Sequence, residues 1–304
     1  MKFTNYQYLE DGVKTDLTDK QINSKFWGKS KWNNYVVPHF NGNVKGLTYV
    51  DMGTNAGLFL KFAEDMGFER VVGTEFNPEA VERGLAYQAK VSGRYSLRCG
   101  RMQDLIDAIP VADYMSFINS HYYLLVQEWL DLLDILQKKA RYCIITAIRK
   151  KEYFCMASGY KHNILRYFKN WELVSHVPQL STEDDPRPRS LESYCFKNPC
   201  LERVELNKLL RGNHVQGMYY SELDQGVHPL QTRYFKMFCK KHRRKPREDL
   251  EKWMYDKVRM YWDVKKFGIK EPIIVNKHYK ILDGNHRKEI LEHLGYKTTI
   301  VRRV

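Results

Sequence analysis

The sequence has little of what marks membrane-spanning, secreted or zinc-binding proteins. No run of eighteen apolar residues occurs in the 304-residue chain, so no membrane-spanning helix is predicted. The amino terminus, MKFTNYQYLEDG, lacks the apolar core of a secretory signal. Six cysteines stand apart without a CxxC pair, a pattern too sparse for a disulfide framework and wrongly spaced for structural zinc. We therefore expect a soluble protein of the reducing cytoplasm, without a metal centre of its own.

Positive charge, in contrast, is abundant and unevenly placed. The chain has 50 Lys and Arg against 36 Asp and Glu, a formal net charge of +14. Residues 201–304 contain 24 Lys and Arg and 13 Asp and Glu, so +11 of the total lies after Asn198-Pro199. Such an excess favours polyanionic partners, among them nucleic acid, nucleotides, phosphorylated substrates or an acidic surface. A well-solvated surface would show the same excess, so charge alone does not name the partner.

Hydrophobic patterning divides the chain into three parts. Residues 1–45 form a polar arm in which aromatic residues and lysines are interleaved, and this arm is expected to pack on the body or to cover a site. Residues 46–198 alternate apolar strands with amphipathic helices, which predicts parallel crossovers and a doubly wound, Rossmann-like α/β sheet. Residues 199–304 follow a different pattern, which predicts a smaller α+β domain.

The predicted elements alternate regularly in the first domain. In chain order they are Leu47–Met52, Leu58–Met66, Arg70–Thr74, Pro78–Val91, Ser96–Cys99, Tyr114–Ile118, Tyr123–Gln137 and Tyr142–Ala147. An antiparallel pair, Glu172–Val177 and Glu192–Phe196, closes the sheet and flanks a loop at 181–190. For the second domain we predict an apolar strand at Val204–Leu210, then a Gly- and His-containing loop and a basic run at 240–247. Further elements follow at Arg247–Phe267, Ile273–Val275, Tyr279–Leu282 and Thr298–Val301, with a helix that ends at Leu294.

A glycine turn joins the first predicted strand to the first predicted helix. Gly53 and Gly57 allow the backbone to approach a ligand, and the helix start offers N–H groups. Glu75 ends the second strand 22 residues after Gly53, where a carboxylate can accept hydrogen bonds from both ribose hydroxyls of an adenosine. The alternative is an ordinary tight turn beside a solvated glutamate. Turn and acid together favour a cofactor that contains a nucleoside.

The same two segments carry a family resemblance. Val50-Asp-Met-Gly-Thr-Asn-Ala-Gly57 and Val72-Gly-Thr-Glu-Phe-Asn-Pro-Glu79 resemble motifs one and two of class I S-adenosylmethionine-dependent methyltransferases, over about residues 46–198. The resemblance implies that Glu75 holds the ribose, that Met102 packs on the adenine and that Asn119 also contacts the cofactor. It further implies that the methionine end is lined by Asp51, Gly53, Asn55 and Gly57. NAD is the main rival, but Asn55 stands where the dinucleotide fingerprint has glycine.

The residues after the fourth strand limit which chemical groups could accept the methyl group. Phe117-Ile-Asn-Ser-His-Tyr-Tyr-Leu124 lies at the edge where ligands bind in open α/β sheets. Neither the Asn/Asp-Pro-Pro-aromatic motif of base-amine methylation nor the Pro-Cys pair of cytosine C5 chemistry occurs there. This favours O-methylation of a hydroxyl on a small molecule or glycan. His121 would take the hydroxyl proton as general base, or would only shape the pocket.

A second turn, Asp283-Gly-Asn-His-Arg287, connects a predicted hairpin to the start of a predicted helix. Backbone N–H groups, His286 and Arg287 converge there, which suits phosphate, while Asp283 would bind a metal or cap the helix. About residues 269–301 resemble the ParB/sulfiredoxin superfamily, and within it the branch of free serine kinases. The resemblance implies binding of ATP or CTP with Mg2+ by Asp283, Gly284, Asn285, His286 and Arg287. Asn285 stands at the place of the sulfiredoxin cysteine, and Glu222 is the candidate acidic base of a kinase.

Three functional interpretations follow. The first is a methyltransferase joined to a ParB-like nucleotide-binding domain, with a small-molecule or glycan acceptor that the second domain would phosphorylate. The second is a nucleic-acid-modifying protein in which the basic run 240–247 contacts phosphates and nearby aromatic residues stack on bases, namely Trp253, Tyr255, Tyr261 and Trp262. For the aromatic residues the alternative is core packing, and for the run it is a solvated face. In the third, both domains are ligand sensors or assembly modules.

Overall fold

The computed structural model describes residue 9 and residues 27–148, 153–154, 161–162, 167–178, 191–210 and 217–304. Most of the arm at 1–45 and the whole of the loop at 181–190 lie outside the described residues. The chain divides into two compact units, Met1–Pro199 and Cys200–Val304. Among the helices that the structure describes, none combines the length and the apolar character needed to cross a membrane.

The first unit is built on a seven-stranded sheet. Its strands are β1 (Thr48–Met52), β2 (Arg70–Glu75), β3 (Ser96–Cys99), β4 (Ala112–Ile118), β5 (Ala140–Ile148), β8 (Glu172–Val177) and β9 (Leu191–Lys197), and two short strands, β6 (Tyr153–Phe154) and β7 (Lys161–His162), pair separately. The order in the sheet is β3-β2-β1-β4-β5-β9-β8. Strands β1 to β5 are parallel, and β9 runs antiparallel to both β5 and β8. The α/β class predicted for this part of the chain is thereby confirmed.

Helices cover both faces of this sheet. They are α1 (Trp27–Tyr35), α2 (Leu58–Asp65), α3 (Pro78–Lys90), α4 (Met102–Leu105) and α5 (Val126–Lys139). Successive residues of β1 enter different cores, as strand geometry requires. Val50 and Met52 pack in the cluster that contains Trp129, whereas Tyr49 packs with Trp32 and Phe59. All seven residues of β4 are buried, as expected for a parallel strand covered on both sides.

The second unit combines a four-stranded mixed sheet with helices. Its elements are β10 (Leu201–Glu205), α6 (Gly217–Asp224), α7 (Arg233–Lys241), α8 (Arg247–Phe267), β11 (Ile273–Val275), β12 (Ile281–Asp283), α9 (Asn285–His293) and β13 (Thr298–Arg303). The strand order is β10-β13-β11-β12. Strand β13 is antiparallel to β10 and parallel to β11, which pairs antiparallel with β12. The unit is therefore an α+β structure.

Two sequence predictions for the second unit are wrong. The strand expected at Val204–Leu210 ends at Glu205 and is followed by a 3-10 turn, Leu206–Lys208. The segment expected as a loop before the basic run contains α6 and α7. The hydroxyl of Thr232 caps α7 by accepting a hydrogen bond from the Phe235 amide at 3.2 Å. The first lysines of the basic run form the last turn of α7, where cations interact favourably with the free carbonyls.

Candidate functional site

The carboxyl ends of β1, β2 and β4 meet at one edge of the first unit's sheet. These strands are neighbours and parallel, so the loops that leave them converge. The turn after β1 is tied to the end of β2, because the amides of Gly53 and Thr54 donate to the Thr74 carbonyl at 2.8 and 2.9 Å. The glycine turn is thus fixed beside the strand that ends in Glu75.

Gly53 is the point of closest approach between these loops. Its φ is +79°, and a Cβ added to it would lie 2.5 Å from Ser120 Cβ and 3.5 Å from Met102 Cε. Ser120 follows β4 and donates its hydroxyl to the Met52 carbonyl. The structure therefore brings Gly53 and Met102, two of the predicted cofactor residues, close together. It adds Ser120, which sequence reasoning missed because nothing but its place after β4 distinguishes it.

Glu75 is held in place by the backbone around it. Its Oε2 accepts a hydrogen bond from the Asn55 amide at 2.8 Å, and its Oε1 accepts from the amides of Phe76 and Asn77, each at 2.9 Å. Asn55 has a left-handed φ of +57°, which turns its amide toward the carboxylate. Each carboxylate oxygen offers about two lone pairs, so Oε2 retains capacity for one hydroxyl donor.

Asp51 is a buried carboxylate beneath the turn, with 1% of its surface exposed. Its Oδ1 accepts a hydrogen bond from the Ser116 hydroxyl at 2.6 Å, whereas Oδ2 is buried and has no hydrogen-bond partner among the described residues. Burial raises the pKa of Asp51 to about 6, although the hydroxyls of Ser116 and Thr54 and the charge of Lys31 act to lower it. An unsatisfied buried oxygen of this kind favours a donor supplied by a ligand.

Asn119 and His121 follow β4 but lie in different surroundings. Asn119 has a φ of +56°, its amide donates to Thr146 Oγ1 at 3.0 Å, and its Oδ1 accepts from the same hydroxyl at 2.8 Å. Asn119 is therefore fixed at the sheet edge by β5. His121 is only 1% exposed, and its ring centre lies 6.4 Å from that of Trp129. This position is compatible with a pocket-shaping role for His121, and proton transfer by this residue stays a prediction.

In the second unit, Arg287 is turned onto acceptors of its own unit. Its Nη1 donates to the carbonyls of Glu271 and Pro272, both at 3.1 Å, and lies 3.2 Å from a Glu271 carboxylate oxygen. Its Nη2 pairs with Asp283, four residues earlier. The side chain is 12% exposed, and these contacts connect α9 to Asp283 at the end of β12 and to residues 271–272. His286 lies nearby, with Nδ1 3.8 Å from Glu289 Oε2.

Glu222 also has a structural partner. Its Oε2 accepts a hydrogen bond from the Arg233 amide at 2.8 Å, and Oε1 lies 3.5 Å from Arg233 Nε, so the carboxylate caps the start of α7. Asp224, which sequence reasoning missed, has more hydrogen-bond partners than Glu222. Its two oxygens accept from Tyr261, Lys265 and His293 at 2.6, 2.7 and 2.9 Å. Over the described ranges, no three or more His, Cys, Asp or Glu side chains form a group that could hold a metal ion.

Comparisons with known proteins give likenesses of fold but none of sequence. No protein-family model matches the chain, and no curated protein sequence matches it. Similar solved structures include the bifunctional kinase-methyltransferase WbdD (17% identity, 67% of this chain and 44% of that chain, TM-score 0.41) and TehB from Haemophilus influenzae (13%, 57% and 66%, 0.42). Another is magnesium protoporphyrin IX methyltransferase, ChlM, from Synechocystis PCC 6803 with bound S-adenosylmethionine. Its sequence identity is 14%, the match covers 64% of this chain and 87% of that chain, and the TM-score is 0.45. The chain spans less than half the length of WbdD and just under two thirds of TehB. In its own strand order and polarity, the first unit is an α/β domain with a mostly parallel, Rossmann-like sheet.

Proposed function

We propose that the first unit is an S-adenosylmethionine-dependent methyltransferase. The observation that carries this proposal is the arrangement at the sheet edge. Gly53 has no room for a side chain, and Glu75 is held by three backbone amides at the end of the neighbouring strand. A turn that admits a close ligand, next to a fixed carboxylate acceptor, suits an adenosine-containing cofactor.

The chemical groups of S-adenosylmethionine match the residues at this edge. A ribose hydroxyl would donate to Glu75 Oε2, and the amino group would supply the donor that Asp51 Oδ2 lacks among the described residues. Met102, beside Gly53, would pack on the adenine. When bound, the cofactor supplies an electrophilic methyl group on its sulfonium. The residues of this chain bind and orient it, and orientation supplies much of the rate in such a displacement.

The acceptor that we propose is a hydroxyl of a small molecule or glycan. Its support is the segment after β4, which has neither the proline motif nor the Pro-Cys pair of the two kinds of base methylation considered above. His121 shapes the pocket wall from its buried position against Trp129. Formation of S-adenosylhomocysteine on a panel of hydroxyl acceptors would distinguish an enzyme from a protein that only senses the cofactor.

Calorimetric titration with S-adenosylmethionine tests the proposal, with Glu75→Gln as the variant. The amide oxygen of Gln can still accept the backbone N–H groups that bind one carboxylate oxygen, while the NH2 group replaces the other acceptor and the charge that strengthens ribose hydrogen bonds is lost. We expect Kd to rise about tenfold or more, since a hydrogen bond to a charged group contributes about 1.5–3 kcal/mol. Glu79→Gln, an exposed acid in the first turn of α3, is the matched control and should bind as the wild type does. Absence of binding to the wild type, or equal Kd values for both variants, would refute the proposal.

For the second unit we propose nucleotide binding at the turn 283–287. Its support is Gly284, whose φ is +100° and whose added Cβ would lie 3.2 Å from the Ile273 backbone, directly before the nine-residue helix α9. Phosphate would bind the amides of the first helical turn and would compete with Asp283 and Glu271 for Arg287. Titration with ATP and CTP in the presence of Mg2+ should show binding that Arg287→Ala weakens and Lys297→Ala, an exposed control, does not. Failure of both nucleotides to bind would remove this assignment.

A further inference from the structure

The exposed face of α8 carries a stripe in which cations and aromatic rings alternate. The stripe consists of Lys252, Tyr255, Arg259, Trp262 and Lys266, all of them exposed. Steps of three and four residues place side chains on one face of a helix. Tyr255 is 43% and Trp262 is 45% exposed, which is unusual for rings of this size. At a rise of about 1.5 Å per residue the stripe is about 21 Å long.

The stripe is distinct from the face of α8 that forms the core. Leu250, Met254, Tyr261 and Val264 are the buried residues of this helix. Trp253 packs against Phe238 with ring centres 4.1 Å apart. Of the four aromatic residues considered from sequence, Trp253 and Tyr261 therefore serve packing. Tyr255 and Trp262 keep exposed ring surface beyond their contacts within the unit. The Trp262 ring centre lies 5.0 Å from that of Tyr261 and 5.1 Å from Lys265 Nζ, and the Tyr255 ring centre lies 6.5 Å from that of His228.

Further cations lie at the amino-terminal end of the stripe. Residues 233–247 contain eight Lys and Arg and neither Asp nor Glu. Arg243, Arg244 and Lys245, in the turn between α7 and α8, are all exposed. Two of the acids on α8 are already paired, Glu251 with Arg247 at 2.6 Å and Asp263 with Lys270 at 2.9 Å. Although Glu248, Asp249 and Asp256 are exposed on the same helix, cations outnumber acids across turn and stripe.

We propose that this surface, the stripe together with the turn 243–245, binds single-stranded nucleic acid. The cations would contact phosphates, and unpaired bases would stack on Tyr255 and Trp262. Stacking needs bases whose faces are open, which a duplex does not offer. An acidic protein would match the cations but would leave both rings unused. An anionic membrane fits less well, because each ring is flanked by charges and no continuous apolar face could enter the lipid.

The test is fluorescence anisotropy of the full chain with labelled 20-nucleotide dT and U strands and with a duplex of the same length. Single strands should bind more tightly than the duplex, and log Kobs should fall with log salt by about 0.7 for each phosphate contact. Tyr255→Ala and Trp262→Ala should each raise Kd about fivefold or more, since stacking contributes about 1–3 kcal/mol per base. Arg259→Ala should reduce the salt slope by about 0.7.

Matched controls come from the same unit. Leu282→Ala removes a side chain that is 56% exposed on β12, and Lys277→Ala removes an exposed charge away from the stripe. Both should bind as the wild type does. The proposal is overturned if duplex binds as well as single strands, or if both ring variants keep wild-type Kd values. It is equally overturned if the protein binds vesicles containing phosphatidylserine through these rings but binds no oligonucleotide. The assay contains no S-adenosylmethionine, so its outcome does not depend on the first proposal.

Discussion

At Gly53 the backbone needs a left-handed φ and, in addition, free space where a side chain would begin. Gly42 has a similar φ of +73°, but nothing lies within 4 Å of an added Cβ. We expect Gly42→Ala to reduce the free energy of unfolding by about 1 kcal/mol, for backbone strain alone. Gly53→Ala should reduce the free energy of unfolding by at least about 2 kcal/mol, because the clash with Ser120 adds to the backbone strain. Urea unfolding of both variants measures the difference. Equal losses would show that Ser120 moves away without cost.

His39 is a buried histidine whose ring is satisfied on both sides by hydroxyls. Its Nδ1 lies 2.6 Å from Ser175 Oγ and its Nε2 2.7 Å from Ser193 Oγ. Burial, assisted by the nearby His176, lowers the pKa of His39 to about 4. The unfolded chain, with a pKa near 6.5, binds the proton more readily, so acidification below about pH 6.5 favours unfolding.

Urea unfolding at pH 7.5 and pH 5 checks this prediction. We expect the wild type to lose on the order of 2 kcal/mol from this group between the two pH values. His39→Gln keeps a hydrogen-bonding side chain but does not titrate, so its own loss over the same range should be smaller by that amount. Identical pH dependence in the two proteins would show that His39 takes up its proton without disturbing the fold.

Single residues also show what the sequence could and could not predict. Gly53 and Glu75 were predictable because a strand–turn–helix pattern and a strand end are local features. The contact of Ser120 with Gly53 was not, because it depends on how closely two loops approach after the sheet has formed. Arg287 was predicted as a phosphate ligand, yet several acceptors of its own unit lie within its reach, and pattern alone does not rank them.

At the scale of elements, Asp224 connects three helices of the second unit. It lies at the end of α6 and accepts hydrogen bonds from α8 and α9, through Tyr261, Lys265 and His293. Burial raises the pKa of Asp224, but these hydrogen bonds outweigh it and hold that pKa at about 2. The network is therefore complete above the unfolded pKa of about 3.9 and is lost as the pH falls toward 2.

Thermal unfolding of Asp224→Asn tests this connection. At pH 6 the variant should unfold at a lower temperature than the wild type, because the amide cannot reproduce charge-assisted bonds to Lys265 and His293. The difference in unfolding temperature should narrow steadily between pH 4 and pH 2.5, because over this range the Asp224 carboxylate of the unfolded wild type takes up a proton while that of the folded state stays mostly ionised. Asp256→Asn, an exposed acid on α8, is the control and should show no such gap. A gap that stays constant with pH would contradict the assigned role of the charge.

Helices and strands were predictable where the hydrophobic periodicity and the residues that begin or end an element indicate the same bounds. The helix at Arg247–Phe267 and the strand at Ser96–Cys99 have the bounds that their patterns predict. Helices α6 and α7 were missed, because a mixture of glycine, histidine and clustered cations resembles a loop. Phe235 is the buried residue of α7, whereas Met237 is 63% exposed. The helical conformation of α7 is stabilised by packing against α6 and α8, which a local pattern does not contain.

At the scale of the whole molecule, two units of unequal charge carry the two ligand sites that we propose. The first contains the sheet edge with Glu75, and the second contains the turn 283–287 and most of the +14 charge. If each ligand binds only its own unit, each should protect only that unit. Hydrogen exchange measured by mass spectrometry separates these cases, because it reports protection peptide by peptide.

We expect S-adenosylmethionine to slow exchange in the peptides that contain 48–57 and 70–77 and to leave those from 200–304 unchanged. At about 100 times Kd a ligand stabilises the state that it binds by about 2.7 kcal/mol, which is enough to slow exchange through unfolding about 100-fold. ATP or CTP should instead protect 281–290. Glu75→Gln should lose the first effect and retain the second, because its substitution lies only in the first unit. Protection of 200–304 by S-adenosylmethionine would place the cofactor in the second unit and contradict the assignment of the sheet edge.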